Sequence, residues 1–146
     1  MNEKHTVTDA IETFSKRQLG AIKVMLIEDD PVITSLVMSM LSREGCVPYS
    51  TLSSTEALRL AEEFLPSVII LDLMMPNLSG EELLVQLKSH TALQTIPVVV
   101  FTNKGDSKDM AHVLGLGASA YLVKASTDLP KLIGVVKALA KDPVVD

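Results

Sequence analysis

Tryptophan is absent from this sequence of 146 residues, and aromatic residues make up only 3% of it. A platform for stacking nucleic-acid bases has little to be built from. The single cysteine, Cys46, excludes an internal disulfide and a cysteine-bound metal cluster. His5, His90 and His112 are scattered, so no zinc-type ligand set is legible. No apolar run approaches the ~20 residues that a membrane span requires. The N-terminus lacks the basic-then-apolar layout of a secretory signal. Cations are outnumbered, with 13 Lys and Arg against 18 Asp and Glu and a formal charge of −5. That balance argues against direct, non-specific binding of nucleic acid. The expectation is a soluble, cytoplasmic protein that contacts neither membrane nor nucleic acid.

The apolar fraction is 47%, enough for a real core, and the length suits one domain. The chain is organised around Val68-Ile69-Ile70-Leu71-Asp72-Leu73-Met74-Met75-Pro76. A short continuous apolar run reads as a strand buried on both faces, and Asp72 sits where it stops. The plain alternative is that Asp72 only starts a turn before Pro76.

The other elements follow a regular order. Residues 1–21 are polar and mixed; Ile11 and Phe14 could share the face of a short helix in an N-terminal extension. Lys23 to Ile27 is a buried-strand pattern ending in Glu28-Asp29-Asp30. Asp30 followed by Pro31 predicts a capped helix start. Ile33, Leu36, Val37, Met40 and Leu41 are expected on its inner face, with Gly45 ending it. Cys46 to Thr51 is a weak strand that Pro48 confines to a sheet edge. Ser53-Ser54-Thr55-Glu56 has the pattern of a capping box, opening a helix with Ala57, Leu60, Ala61 and Phe64 inward. Ser79-Gly80-Glu81-Glu82 opens another, with Leu83, Leu84 and Leu87 inward. Ile96 to Phe101 and Ala118 to Val123 complete five strands. Helices from Asp106 to about Leu114 and from Leu129 to about Ala140 complete five helices. Alternating strands and helices predict an α/β fold, a (βα)5 doubly wound parallel five-stranded sheet.

In such a sheet the carboxyl ends of all strands share one edge, which is where ligands bind. Four strands end there in chemically active residues: Glu28 with Asp29, then Asp72, Thr102 and Lys124. Three carboxylates drawn together repel, and a divalent cation relieves them. Mg²⁺ suits an all-oxygen donor set that leaves room for water and phosphate. A carboxylate on a rigid strand end can also attack phosphorus. The transferring group then needs positive charge and donors around its oxygens, which Lys124 and Thr102 supply.

Ile27-Glu28-Asp29-Asp30-Pro31, Leu71-Asp72-Leu73-Met74-Met75-Pro76-Asn77-Leu78-Ser79-Gly80, Phe101-Thr102 and Gly117 to Lys124 together resemble the receiver domain of bacterial two-component response regulators. The resemblance covers residues 22–141, with 142–146 as a tail. It implies a flavodoxin-like strand order, 2-1-3-4-5. It implies that Asp72 accepts a phosphoryl group from a histidine kinase or histidine phosphotransfer protein. It implies that Glu28, Asp29, Asp72 and the backbone carbonyl of Met74 hold Mg²⁺. Lys124 would contact the phosphoryl group, and Thr102 with Tyr121 would form a switch. The output would run through the face made by the fourth helix, fifth strand and fifth helix, toward a downstream protein target or a phosphorylation-dependent dimer. No enzymatic turnover of a separate substrate is implied beyond self-phosphorylation and self-dephosphorylation. Met74 and Lys104, two places after Asp72 and after Thr102, would flank the path of the hydrolytic water.

The sequence departs from the family pattern at Ala125, where proline usually follows the lysine, and at Asn103, where a small residue is usual. The Lys124–Ala125 bond is either cis or trans, and the trans form would aim Lys124 differently. Asn103 would crowd the phosphoryl pocket. Two classes of function follow. One is a phosphorylatable switch. The other is a receiver-fold interaction module that does not turn over phosphate. An enzyme acting on a small phosphate ester lacks a second carboxylate as general acid. A nucleotide-binding protein lacks a Gly-rich loop after the first strand.

Overall fold

Residues 21–141 are described by the computed structural model. The expected N-terminal extension and C-terminal tail, and with them His5, lie outside the described residues. Among the described residues, five strands alternate with five helices: β1 Lys23–Ile27, α1 Pro31–Arg43, β2 Val47–Thr51, α2 Ala57–Phe64, β3 Val68–Leu71, α3 Gly80–Ser89, β4 Val98–Thr102, α4 Ser107–Gly115, β5 Ala120–Val123 and α5 Leu129–Lys141. All neighbouring strands pair in parallel, in the order β2-β1-β3-β4-β5. This is the order 2-1-3-4-5, and β2, the strand with Pro48, lies at an edge as expected.

The side-chain period of two sorts each central strand between two cores. Met25, Ile27, Ile69, Leu71, Val98 and Val100 face α2, α3 and α4, meeting Ala57, Ala61, Leu83, Leu84, Leu87 and Val113. Val24, Leu26, Val68, Ile70, Val99 and Phe101 face α1 and α5, meeting Val37, Leu41, Leu132, Ile133 and Val136. Burial on both faces explains why these strands read as continuous apolar runs. It also fixes their register, because a slip by one residue would exchange the two cores.

Three helix starts match the sequence. Asp30 accepts from the Val32 and Ile33 N–H groups, with Pro31 following. Ser79 and Glu82 form a complete capping box. Asp106 accepts from the Lys108 N–H. The fourth differs. Glu56, not Ser53, occupies the cap of α2 and makes no side-chain capping bond. Ser53 Oγ does accept from the Glu56 N–H at 3.2 Å, but in a turn that precedes the helix. Leu36 also departs from expectation. It is 51% exposed, because Val37 and Leu41 suffice to bury α1 and Leu36 falls past the edge of that stripe. β4 begins at Val98 rather than Ile96, and β5 at Ala120 rather than Ala118. Gly45, with φ +84°, follows α1 in the left-handed region that glycine tolerates.

Candidate functional site

β1, β3 and β5 deliver their reactive residues to one cavity of about 240 Å³, lined by Glu28, Asp29, Asp30, Asp72, Met74, Asn103 and Lys124; Thr102, at the end of β4, does not line it, and its neighbour Asn103 does. β1 and β3 are adjacent and in register, Ile27 beside Leu71, so the residues after them, Glu28 and Asp72, emerge side by side. The Asp72 N–H donates to the Ile27 carbonyl at 3.0 Å, which carries the pairing one residue past the strand. Carboxylate oxygens of Glu28, Asp29 and Asp72 all lie within 4.8 Å of one another.

The three carboxylates are not equivalent. Glu28 is 2% exposed and Asp72 4%, whereas Asp29 is exposed. Glu28 is held from two sides: Lys124 Nζ lies 2.8 Å from its Oε1, and the Asp30 N–H donates to its Oε2 at 3.0 Å. Burial pushes the Glu28 carboxyl above its ordinary value. Lys124 and the Asp30 N–H oppose that, and the charge of Asp72 adds to it. Asp72 Oδ1 accepts the Met74 N–H at 3.1 Å, and Lys124 Nζ donates to Oδ2 at 3.2 Å. Burial disfavours the Lys124 ammonium, but the hydrogen bond to Glu28 and the charges of Asp72 and Glu28 outweigh it and hold its pKa above 10.5.

All donors in this set are oxygen atoms, and one carboxylate, Asp29, faces solvent. This fits a small hard dication that keeps part of its water shell. Met74 lines the same cavity and is 57% exposed; Met75 turns into the core.

No peptide bond is cis among the described residues, so Lys124–Ala125 is trans. Lys124 opens a short 3-10 turn to Ser126 and still reaches Asp72, so the absence of proline does not misdirect it. Asn103 stands on the cavity rim with its side chain exposed.

Thr102, at the end of β4, is fully buried. Its Oγ1 accepts the Lys104 N–H at 3.4 Å, and the Tyr121 hydroxyl donates to the Lys104 carbonyl. The two residues expected to act together therefore grip the same backbone unit from opposite ends. Lys104 itself differs from expectation. Its ammonium pairs with Glu81 Oε2 at 3.3 Å on α3, and the residue does not line the Asp72 cavity.

Two contributors were missed in the sequence. Ser54 is buried, donates to the Pro76 carbonyl at 3.1 Å and accepts from the Leu78 N–H at 3.2 Å, pinning the loop after Asp72. Its neighbours suggested only a helix cap. Glu81 falls inside the capping-box pattern, which gives no sign of its pairing with Lys104.

The family model described as the response regulator receiver domain matches residues 24–137. The chain is 37% identical over 117 residues to a probable transcriptional regulator, ycf29, of Pyropia yezoensis. That match covers 80% of this chain and 52% of the relative, so the chain spans about half that relative's length. It is 28% identical over 123 residues to protein PilG of Pseudomonas aeruginosa, covering 84% of this chain and 90% of PilG. Among solved structures, the receiver domain of the Francisella response regulator 1452 superposes with a TM-score of 0.77 at 28% identity, covering 82% of this chain and 97% of that one.

Proposed function

This chain belongs to the response regulator receiver domain family, and we propose that it is the phosphorylatable switch of a two-component phosphorelay, with Asp72 as phosphoacceptor. The observation that carries the reading is Lys124. Its ammonium bridges Glu28 and Asp72 inside an acidic cavity at the carboxyl edge of the sheet. A structural salt bridge would need one carboxylate. Here one cation stands against three, which leaves negative charge for a divalent cation to match.

Residues 22–141 form the receiver domain in this reading, flanked by an extension and a short tail. Glu28, Asp29, Asp72 and the Met74 carbonyl would hold Mg²⁺, which when bound would supply positive charge to neutralise the carboxylates and the phosphoryl oxygens. A carboxylate oxygen of Asp72 forms the new P–O bond as the P–N bond of a donor phosphohistidine breaks, and the electron pair stays on the imidazole. Burial and the bond from Met74 orient the attacking carboxylate. Lys124 and Thr102 offer donors to the phosphoryl oxygens.

Thr102 and Tyr121 then transmit the change. Both hold Lys104, in the loop that leads into α4, so a shift of the Thr102 hydroxyl toward a phosphoryl group loosens that loop and frees the tyrosine. The α4–β5–α5 face is the surface altered. Its partner is a downstream protein or a second phosphorylated copy, and the donor is a histidine kinase or histidine phosphotransfer protein. No helix among the described residues is long and apolar enough to cross a membrane. A cytoplasmic location belongs to this reading. The alternative, an interaction module without phosphate turnover, drew on Ala125 and Asn103; the reach of Lys124 to Asp72 favours the switch.

The experiment is labelling by acetyl phosphate with Mg²⁺. One phosphoryl group per chain is expected, labile to hydroxylamine as an acyl phosphate, and absent from Asp72→Asn. Label persisting in that variant at a Ser, Thr or His would refute the assignment.

A further inference from the structure

The pair formed by Lys104 and Glu81 is explained neither by folding nor by phosphoryl transfer. Glu81 stands in the first turn of α3, but the capping box there is complete without it, through Ser79 and Glu82. Its carboxylate instead turns toward the β4–α4 loop. Oε2 lies 3.3 Å from Lys104 Nζ, and Oε1 lies 3.8 Å from His112 Nε2 on α4. Three ties converge on Lys104: its N–H on Thr102, its carbonyl on Tyr121, and its ammonium on Glu81. The first two place its backbone beside the phosphoacceptor cavity, whose rim is formed by the preceding residue, Asn103. Only the third decides where the cation goes.

We propose that Glu81 is a positioning residue for the lifetime of the phosphorylated state: it holds the Lys104 ammonium away from the phosphoryl oxygens on Asp72. The inference rests on the phosphoacceptor reading above. In hydrolysis, the oxygen of a water forms a new P–O bond as the bond between phosphorus and Asp72 breaks. The electron pair stays on the carboxylate, and both water protons leave with the inorganic phosphate. The water must approach in line, on the side opposite Asp72. A flexible ammonium close to the dianionic phosphoryl group is drawn to its outer oxygens. It offers no acceptor for a water proton, and it occupies the approach. Glu81 competes for that ammonium. Freed from Glu81, Lys104 moves over the phosphoryl group and shields it.

The test uses the full chain, labelled by acetyl phosphate with Mg²⁺, with loss of phosphate followed over time. Glu81→Gln keeps the shape and removes the charge. The phosphoryl group should decay about two- to fivefold more slowly, the range that a partly exposed ion pair sustains. In a Lys104→Met background the same Glu81→Gln change should have no effect on the rate. A role for Glu81 in merely holding the start of α3 would show the same effect with or without Lys104. That outcome, or an unchanged lifetime in Glu81→Gln, overturns the inference. A wild type that takes no label overturns the reading of Asp72 and this inference with it. A labelled wild type whose lifetime ignores Glu81 overturns this inference alone.

Discussion

The Lys124 ammonium lies 2.8 Å from Glu28 Oε1, closer than to Asp72, the residue on which phosphorylation would take place. Glu28 is thus the firmer anchor of the lysine, and Asp72 shares it. Breaking a buried pair by removing one partner leaves the others uncompensated. Lys124→Met should lower stability at neutral pH without divalent cation by about 2–4 kcal/mol, less than a fully buried pair because the ammonium is partly solvated. Mg²⁺ should restore part of that loss. The raised pKa of Lys124 sets the alkaline limit: its contribution is complete below 10.5 and is lost as pH rises through the still higher folded value. Urea unfolding of both proteins across that range measures it. Parallel pH curves for wild type and variant would show that the ion pair does not contribute.

Metal binding should depend most on the carboxylate that is free to accept it. Glu28 is engaged by Lys124 and the Asp30 N–H, and Asp72 by Lys124 and the Met74 N–H, while Asp29 is exposed. Titrating Mg²⁺ while following amide resonances should show a roughly millimolar or tighter response near Asp29 and Asp72. Asp29→Asn should weaken it strongly. An equal response in that variant would place the ion elsewhere.

Self-dephosphorylation should be slow. Met74 lines the cavity and cannot orient a water, and Lys104 is turned to Glu81. A water-positioning or basic group is worth about 10²–10⁴-fold in such a step. Met74→Asn with Lys104→Glu supplies one, and Glu81 would repel the new carboxylate toward the cavity. The double variant should lose phosphate about tenfold faster or more. If it decays no faster, these two side chains do not set the lifetime.

The loop after Asp72 should tolerate little. A Cβ on Gly80 would stand 2.5 Å from Leu73 Cα and 2.8 Å from the Asp72 carbonyl oxygen, both backbone atoms that cannot swing aside. Gly80→Ala should cost about 1–3 kcal/mol or more by overpacking. Ser54→Ala should cost about 1–3 kcal/mol, since the Pro76 carbonyl and the Leu78 N–H both lose their partner. Denaturation midpoints report both, and Ser54→Thr is the conservative control.

Val24 to Ile27, Val68 to Leu71 and Val98 to Phe101 were legible as buried strands because both faces of a parallel sheet are covered, so every position must be apolar. The helix starts at Asp30, Ser79 and Asp106 were legible because capping is a contact between near neighbours in the chain. The meeting of Glu28, Asp29, Asp72 and Lys124 in one cavity follows from topology, since parallel strands bring their carboxyl ends to one edge; Thr102 ends β4 at the same edge but is buried outside that cavity. The tertiary structure decided what chain-local patterns do not contain. Ser54 sits inside a capping-box pattern and proved to be a pin for a loop more than twenty residues away. Lys104 looked free to reach a phosphoryl group and proved to be paired with Glu81. Leu36 had the right period and fell outside the stripe that the sheet could cover. In each case the deciding partner lies on another element. A side chain's spacing names the face it occupies, but only packing determines which distant group reaches that face and competes for its charge or its hydrogen bonds.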